Sequence, residues 1–230
     1  MSRLGDFSVN NFQKRMFAGI GALGAASILL AGCGGKDSVE SLHDSLEKVV
    51  QVEKPFQKEQ QELEKLEKKD DKLYNDMIQL NMDDYSKIVS LADEALKNAD
   101  QREQHLKTEK DSIDSSKKEF EAARQAAGSI KDKTIKKKAK EAAGHMEKRY
   151  ASYTGMYKEY EKAIQYDKEL YKMIKKKDLT ADDLDKQISK VNSSYQKVLK
   201  QTGAFNEQTK QYNKSREELY KAAGFHVKES

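Results

Sequence analysis

Beyond residue 38, apolar residues recur every three or four positions and are separated by Lys, Glu, Asp and Gln. This spacing predicts amphipathic helices, because it places the apolar side chains on one helical face. Turn-forming residues interrupt the pattern three times, at 81–84, 128–132 and 178–180. We therefore predict four long helices, at about 38–80, 83–128, 132–176 and 180–224.

Two of these segments keep an exact seven-residue apolar repeat. In the second it runs through Tyr85, Ala92, Ala99, Leu106, Ile113, Phe120 and Ala127. In the fourth it runs through Leu184, Val191, Val198, Phe205, Tyr212 and Leu219. A repeat of seven implies left-handed supercoiling, and short connections make consecutive helices antiparallel. The predicted fold class is all-α, an elongated antiparallel bundle of about four long helices with coiled-coil heptad seams.

The expected helix ends carry recognisable capping residues. Ser38 and Asp83 are suitable N-caps, Thr180 with Asp183 approximates a capping box, and Gly224 stands where a C′ glycine belongs. Pro55 lies inside the first segment, where proline costs about 3 kcal/mol and kinks a helix. That helix therefore either bends at Pro55 or begins there.

The second helix has polar residues at three seam positions, Arg102, Glu109 and Ser116. A seam that alternates between apolar and polar residues packs less well against its own bundle. We interpret this as incomplete self-packing, which leaves room for a helix of another protein.

The N-terminal 35 residues differ in character from the rest of the chain. Lys14 and Arg15 precede twenty uncharged residues, 16–35, and the sole cysteine ends the string Leu30-Ala31-Gly32-Cys33. A basic region, a short apolar region and a small-residue cleavage site form the layout of a secretory signal. Leu-Ala-Gly-Cys resembles the bacterial lipobox, in which the thiol receives a diacylglyceryl group and the chain is cut before the cysteine.

We therefore predict a lipoprotein signal peptide at 1–32, cleavage between Gly32 and Cys33, and lipid attachment at Cys33. A flexible tether would follow at 33–37 and a helical domain at 38–230. The alternative is a simple membrane span, which needs about 20 apolar residues and would have to tolerate four glycines. Either way the basic residues stay inside, and the rest of the chain lies on the extracytoplasmic face of the cell membrane.

Composition narrows the function classes further. Charged residues make up 36% of the chain, yet the formal net charge is only +4, and three basic and one acidic side chains fall within the first 32 residues. The exported part is thus nearly balanced, which gives no argument for nucleic-acid binding. A single cysteine excludes an intrachain disulfide, a Cys-rich metal site and, once acylated, a thiol nucleophile.

The densest basic run is the strongest candidate for a binding surface. It comprises Lys131, Lys133, Lys136, Lys137, Lys138 and Lys140. Because an even number of antiparallel passes returns the chain to its anchored end, these lysines and the Lys221–Lys228 segment would face anionic lipid headgroups or lipoteichoic acid. The acidic residues at 83–84 and 178–185 would lie at the far end. The alternative is an ordinary solvated helix face.

Six of the eleven tyrosines lie between Tyr150 and Tyr171. They could form an aromatic platform for wall glycans, but five of them occupy the seam, where a Tyr ring is buried and its hydroxyl reaches the wet edge. We interpret those five as core and Tyr166 as the exception outside the seam.

No catalytic motif is recognisable, so we expect neither an enzyme nor a cofactor or metal. The four histidines are scattered, and none belongs to a His-Glu-x-x-His pattern. Asp178, Thr180 and Asp182 imitate the start of a calcium loop, but Asp183 replaces the required glycine and Ser189 the bidentate glutamate.

Several strings together resemble the YkyA-like cell-wall-binding lipoproteins of bacilli. They are the Leu30–Cys33 motif, Ser41-Leu-His-Asp-Ser-Leu-Glu-Lys, Leu63-Glu-Lys-Leu-Glu-Lys-Lys, Lys72-Leu-Tyr and Ser115-Ser-Lys-Lys-Glu-Phe120. The likeness runs from Cys33 to about Gly224. It implies a Gram-positive surface and association with the wall, and it supplies no catalytic residues.

These observations lead to two functional hypotheses. The first is a non-enzymatic, lipid-anchored, palmitate-bearing surface lipoprotein that binds or spaces a component between membrane and wall, with peptidoglycan or teichoic acid as candidate partners. The second is an accessory helical subunit that pairs with another exported envelope protein. An envelope hydrolase has no site to support it.

Overall fold

The computed structural model describes Leu23, residues 28–29 and residues 36–227. The helices are α1 (Lys36–Val52), α2 (Lys54–Ile78), α3 (Tyr85–Ser129), α4 (Lys133–Ile174) and α5 (Ala181–Ala222), with a 3₁₀ turn at Met82–Asp84 before α3. Two-residue strands β1 (Ile28–Leu29) and β2 (His226–Val227) pair antiparallel. Most of the described chain is helical, which confirms the all-α prediction and its four long helical segments.

The described chain divides into two compact units. The first unit contains residues 58–108 and 155–202, and the second contains residues 19–57, 109–154 and 203–230 as far as they are described. The helices α2, α3, α4 and α5 therefore contribute residues to both units. None of the described helices is both long and apolar enough to cross a membrane.

The first unit consists of two helical hairpins, α2 with α3 and α4 with α5. Asn81 caps the 3₁₀ turn by accepting a hydrogen bond from the Asp83 backbone N–H (2.7 Å), so Asn81, rather than the predicted Asp83, is the cap. Thr180 accepts from the Asp183 N–H (3.2 Å) and donates to its carboxylate (2.8 Å), which confirms Thr180 as the N-cap of α5 paired with Asp183. Seam residues fill the interior, including Leu63, Ala92, Ala99, Ile164 and Val198.

The second unit packs α1 against the hairpin of α3 and α4 and against the end of α5. Its interior is more aromatic, with Phe56 near Tyr153 and Phe205 (ring centroids 6.0 and 5.7 Å apart). At the end of α5, Gly224 has φ +78°, and the Phe225 N–H bonds to the Tyr220 carbonyl (2.9 Å). This geometry confirms the predicted C′ glycine, because the left-handed region is strained for residues with a Cβ.

The first predicted helix is interrupted at Glu53, so α1 and α2 are separate helices. Pro55 has no N–H to donate to the carbonyl one turn earlier, which explains why regular hydrogen bonding fails here. At this interruption the Ser112 hydroxyl of α3 donates a hydrogen bond to the Val52 carbonyl (2.9 Å). At its other end α1 begins at Lys36, two residues before the predicted cap Ser38 and inside the predicted tether.

The polar seam residue Arg102 lies at the centre of a buried network in the first unit. Its guanidinium donates to the Tyr195 hydroxyl (2.7 Å) and to Asp167 (2.9 Å), and lies 3.3 Å from an Asp70 oxygen. Tyr171 also donates to Asp70 (3.0 Å). Arg102 is completely buried, so these contacts replace its hydration.

A second buried network surrounds Arg149 in the second unit. Arg149 binds the Glu53 carboxylate through two N–H groups (2.8 and 2.7 Å), donates to the Thr209 hydroxyl (2.9 Å) and stacks on Phe205 (4.6 Å to the ring centroid). Ser116 donates to the same carboxylate. Arg102 and Ser116 therefore have partners within the chain, and the inference of incomplete packing at these positions is wrong.

Candidate polyanion-binding surface

The turn between α3 and α4 is held by one buried apolar residue and one helix-capping residue. Ile130 is buried and holds the turn in the interior of the second unit. Asp132 caps α4 by accepting hydrogen bonds from the backbone N–H groups of Thr134 (2.8 Å) and Ile135 (2.9 Å). This cap satisfies two otherwise unpaired donors, and it confirms the predicted start of the third helix.

Two of the six predicted lysines have structural partners. Lys136 donates to the Gly128 carbonyl (2.7 Å), one of the unpaired carbonyls at the end of α3. Lys138 binds Glu218 on α5 (2.5 Å). That hydrogen bond raises the pKa of Lys138 and lowers the pKa of Glu218.

The other four lysines are available to an external anion. Lys131, Lys133, Lys137 and Lys140 are exposed, and none forms an ion pair with another residue of the described chain. They carry a formal charge of +4 on one turn and the first two turns of α4. We refer to these four residues as the basic turn.

The start of α1 and the end of α5 pack beside the basic turn. Ala139 stands between Lys137 and Lys140 in α4, and it lines a small cavity of about 10 Å³ together with residues of α1, α3 and α5. The lining residues are Leu42, Leu46, Phe120, Ala123, Arg124, Ala127, Ala139, Ala142, Ala143 and Leu219. The structure thus brings together the first helix, the basic turn and the end of the last helix. In the C-terminal segment, Lys221 is paired with Glu217.

Other predicted residues fall in different places. Cys33 and Gly32 lie outside the described residues. The acidic positions 83–84 and 178–185 belong to the first unit, whereas the basic turn belongs to the second.

The tyrosine cluster is mainly core. Tyr150, Tyr153, Tyr160 and Tyr171 are buried, which confirms their seam assignment. Tyr157 is a correction, because it is only half-buried and its hydroxyl is 3.4 Å from Glu161. Tyr166 is also half-buried, and it lies outside the core as predicted.

The described residues contain no group of three His, Cys, Asp or Glu side chains that could hold a metal ion. His105 is bonded to Glu59 (2.6 Å), and His145 to Gln208 (3.2 Å) rather than to Glu141.

The fold and surface define a class: an all-helical protein with buried ionic networks and an exposed basic turn. A solved structure from Staphylococcus aureus, described as a conserved protein of unknown function, shares this fold with a TM-score of 0.72 at 19% sequence identity. The likeness covers 83% of this chain and 97% of that one.

The chain belongs to the YkyA family, described as "Putative cell-wall binding lipoprotein", whose pattern matches residues 37–222. A Bacillus subtilis (strain 168) protein, described as uncharacterized lipoprotein YkyA, is 58% identical over 218 residues. Those residues cover 95% of this chain and 98% of that protein. The suspected resemblance is confirmed, and neither description names an enzymatic activity.

Proposed function

We propose that this chain is a non-enzymatic surface lipoprotein, anchored through acyl chains on Cys33 to the extracytoplasmic face of the membrane. In this proposal the basic turn lies against the anionic surface that holds the anchor. The lipobox-like string before Cys33 and the lipoprotein description of the family support the anchor.

The observation that carries the proposal is the packing of α1 beside the basic turn. Only three residue steps separate Cys33 from Lys36, which is at most about 11 Å of extended chain. Leu42 lies about 9 Å further along α1 and lines the same cavity as Ala127 and Ala139. An anchor at Cys33 would therefore bring the four lysines close to the lipid headgroups.

The charge on the turn is large enough to matter only in near contact. Each lysine close to an anionic membrane surface contributes about 1 kcal/mol, and the attraction is screened over about 8 Å at physiological salt. Four lysines would thus supplement the acyl anchor by up to about 4 kcal/mol. The same chemistry suits a teichoic acid at that surface.

The anchor is tested by metabolic labelling with a palmitate analogue. Cys33→Ala should abolish the label, because Cys33 is the sole thiol of the chain. Unchanged labelling of the Ala variant would refute the lipoprotein assignment.

The surface is tested with the unlipidated fragment 36–230 and phosphatidylglycerol vesicles at low salt. A variant with Lys131, Lys133, Lys137 and Lys140 changed to Gln should lose most of the binding. Lys136 and Lys138 are left intact, because they hold Gly128 and Glu218. The matched control changes four exposed lysines of α3, namely Lys87, Lys97, Lys107 and Lys118. Equal binding by the variant and the parent would reduce the basic turn to a solvated helix face.

The alternative of an accessory subunit loses the observation that motivated it. Arg102 and Ser116 are bonded within the chain and do not leave a polar seam open for another helix.

A further inference from the structure

The first unit has a groove of about 270 Å³ between α4 and α5. Its lining residues are Lys162, Tyr166, Ser189, Lys190, Ser193, Ser194 and Lys197. We refer to it as the Tyr166 groove. It shares no residue with the basic turn, and none of its lining residues belongs to the second unit.

All the charged residues that line this groove are basic. Three lysines give it a formal charge of +3, and none of its lining residues is acidic. The Lys162 ammonium lies over one face of the Tyr166 ring, 5.6 Å from its centroid, so the groove combines a cation with an aromatic ring. Ser193 is exposed at the lining surface and offers a hydroxyl.

The groove is built on helices whose inner faces are held in place. Ser194 donates to the Glu159 carbonyl (3.2 Å), and Gln187 donates to the Tyr166 carbonyl (2.8 Å). These bonds connect α4 to α5 on both sides of Tyr166. The groove is thus formed before any ligand arrives, which lowers the entropic cost of binding.

The positive charge continues beyond the Tyr166 groove. A second hollow of about 350 Å³ shares Lys190 and adds Lys176 and Lys186. Asp178 and Asp183 line it as well, and Asp183 is 4.0 Å from Lys186. Lys186, Lys190 and Lys197 therefore follow α5 in a row from its acidic start, an arrangement that suits a chain of spaced anions better than one compact ion.

We propose that the Tyr166 groove binds a segment of a polyol phosphate chain, in which phosphodiesters alternate with hydroxylated carbon units. The lysines bind the phosphates, Ser193 hydrogen-bonds a polyol hydroxyl, and the C–H edge of the polyol packs on the Tyr166 ring. A bare phosphate chain would use the lysines but leave the serine and the ring without a role. This inference goes beyond the proposed function, because it assigns a second binding surface, in the first unit, and the contacts by which that surface recognises a polyol phosphate.

The experiment uses the full chain in neutral detergent and isothermal titration with lipid-free poly(glycerol phosphate). The variant Lys190→Gln/Lys197→Gln should weaken binding about fivefold, the effect of losing two exposed charge contacts. Tyr166→Ala should weaken it as well, whereas Tyr166→Phe should bind like the parent. The control Lys87→Gln/Lys97→Gln removes two exposed lysines from α3 in the same unit and should bind like the parent.

Two further probes separate the possible outcomes. Inorganic polyphosphate should bind more weakly than poly(glycerol phosphate) and should be insensitive to Tyr166→Ala. Binding to phosphatidylglycerol vesicles should respond to the basic-turn variant and not to the Tyr166 variants, so the two proposals can fail separately. Parent-like binding of poly(glycerol phosphate) by Lys190→Gln/Lys197→Gln, equal loss in the control, or an equal response of both polymers to Tyr166→Ala would overturn the proposal.

Discussion

Replacing Glu67 by Gln should destabilise the protein at acid pH and stabilise it near pH 8. Glu67 is buried on α2 and accepts a hydrogen bond from Tyr160. Burial raises the pKa of Glu67 from 4.5 to about 8. Arg102 and the Tyr160 hydrogen bond oppose that rise, while Asp70 and Asp167 add to it.

The direction of the effect follows from proton linkage. In the unfolded chain Glu67 ionises near pH 4.5, whereas the folded chain retains its proton up to about pH 8. Between these values the folded state binds more protons, so the free energy of unfolding falls as the pH rises. A shift from 4.5 to about 8 corresponds to about 5 kcal/mol across the window. The Gln side chain does not ionise in this range. Replacing the protonated carboxyl by a buried amide lowers the free energy of unfolding by about 1–3 kcal/mol at low pH.

The measurement is urea unfolding of the parent and Glu67→Gln at intervals from about pH 4.5 to pH 8.5. The difference between the two proteins isolates Glu67 from the other carboxylates. The control Glu64→Gln changes a partly exposed residue on the same helix, paired with Lys68, and should shift stability by less than about 1 kcal/mol at every pH. A difference between Glu67→Gln and the parent that does not vary with pH would refute the reasoning.

Further substitutions test three other parts of the fold by urea unfolding. Arg149→Met should cost about 3–5 kcal/mol, because it leaves the Glu53 carboxylate buried without its cation, and adding Glu53→Gln should recover much of the loss; a cost below about 1 kcal/mol would contradict this. Gly203→Ala should stabilise α5 by about 0.5–1 kcal/mol, since nothing lies within 4 Å of the added Cβ, whereas Gly224→Ala should destabilise by about 1 kcal/mol at its positive φ; equal signs would count against both. Pro55→Ala should change stability by less than about 1 kcal/mol, because Pro55 lies in the first turn of α2, and a larger gain would indicate one continuous helix.

The regular parts of the fold could be predicted from the chain because they depend on local chemistry. The heptad positions of α3 and α5 are buried from Ala92 to Ala127 and from Val191 to Leu219. The cap at Thr180 and the glycine at 224 were equally predictable, since each acts on backbone groups within a few residues.

Ion-pair partners that lie far apart in the sequence could not be predicted in the same way. Arg102 stands 65 residues from Asp167, and Arg149 stands 96 residues from Glu53. The sequence does not show whether the partner of a polar seam residue lies in the same chain, so it could not distinguish the buried ion pairs of Arg102 from a gap in the packing. The Tyr166 groove could not be predicted for a related reason. Its lysines are ordinary exposed residues on two helices, and they come together only when α4 and α5 pack.

The buried ionic networks also determine which alignment of the helices is tolerated. A heptad seam is nearly unchanged by a slip of seven residues, because each apolar layer is replaced by another of similar size. Such a slip of α3 would bring Glu109 to the place of Arg102, facing Asp70 and Asp167, and three carboxylates would then meet without a cation. In the second unit the same slip would bring Ala123 to the place of Ser116 and deprive Glu53 of a hydroxyl donor. We infer that these networks set the helix register, so that misaligned packings of an otherwise repetitive sequence are rejected by charge.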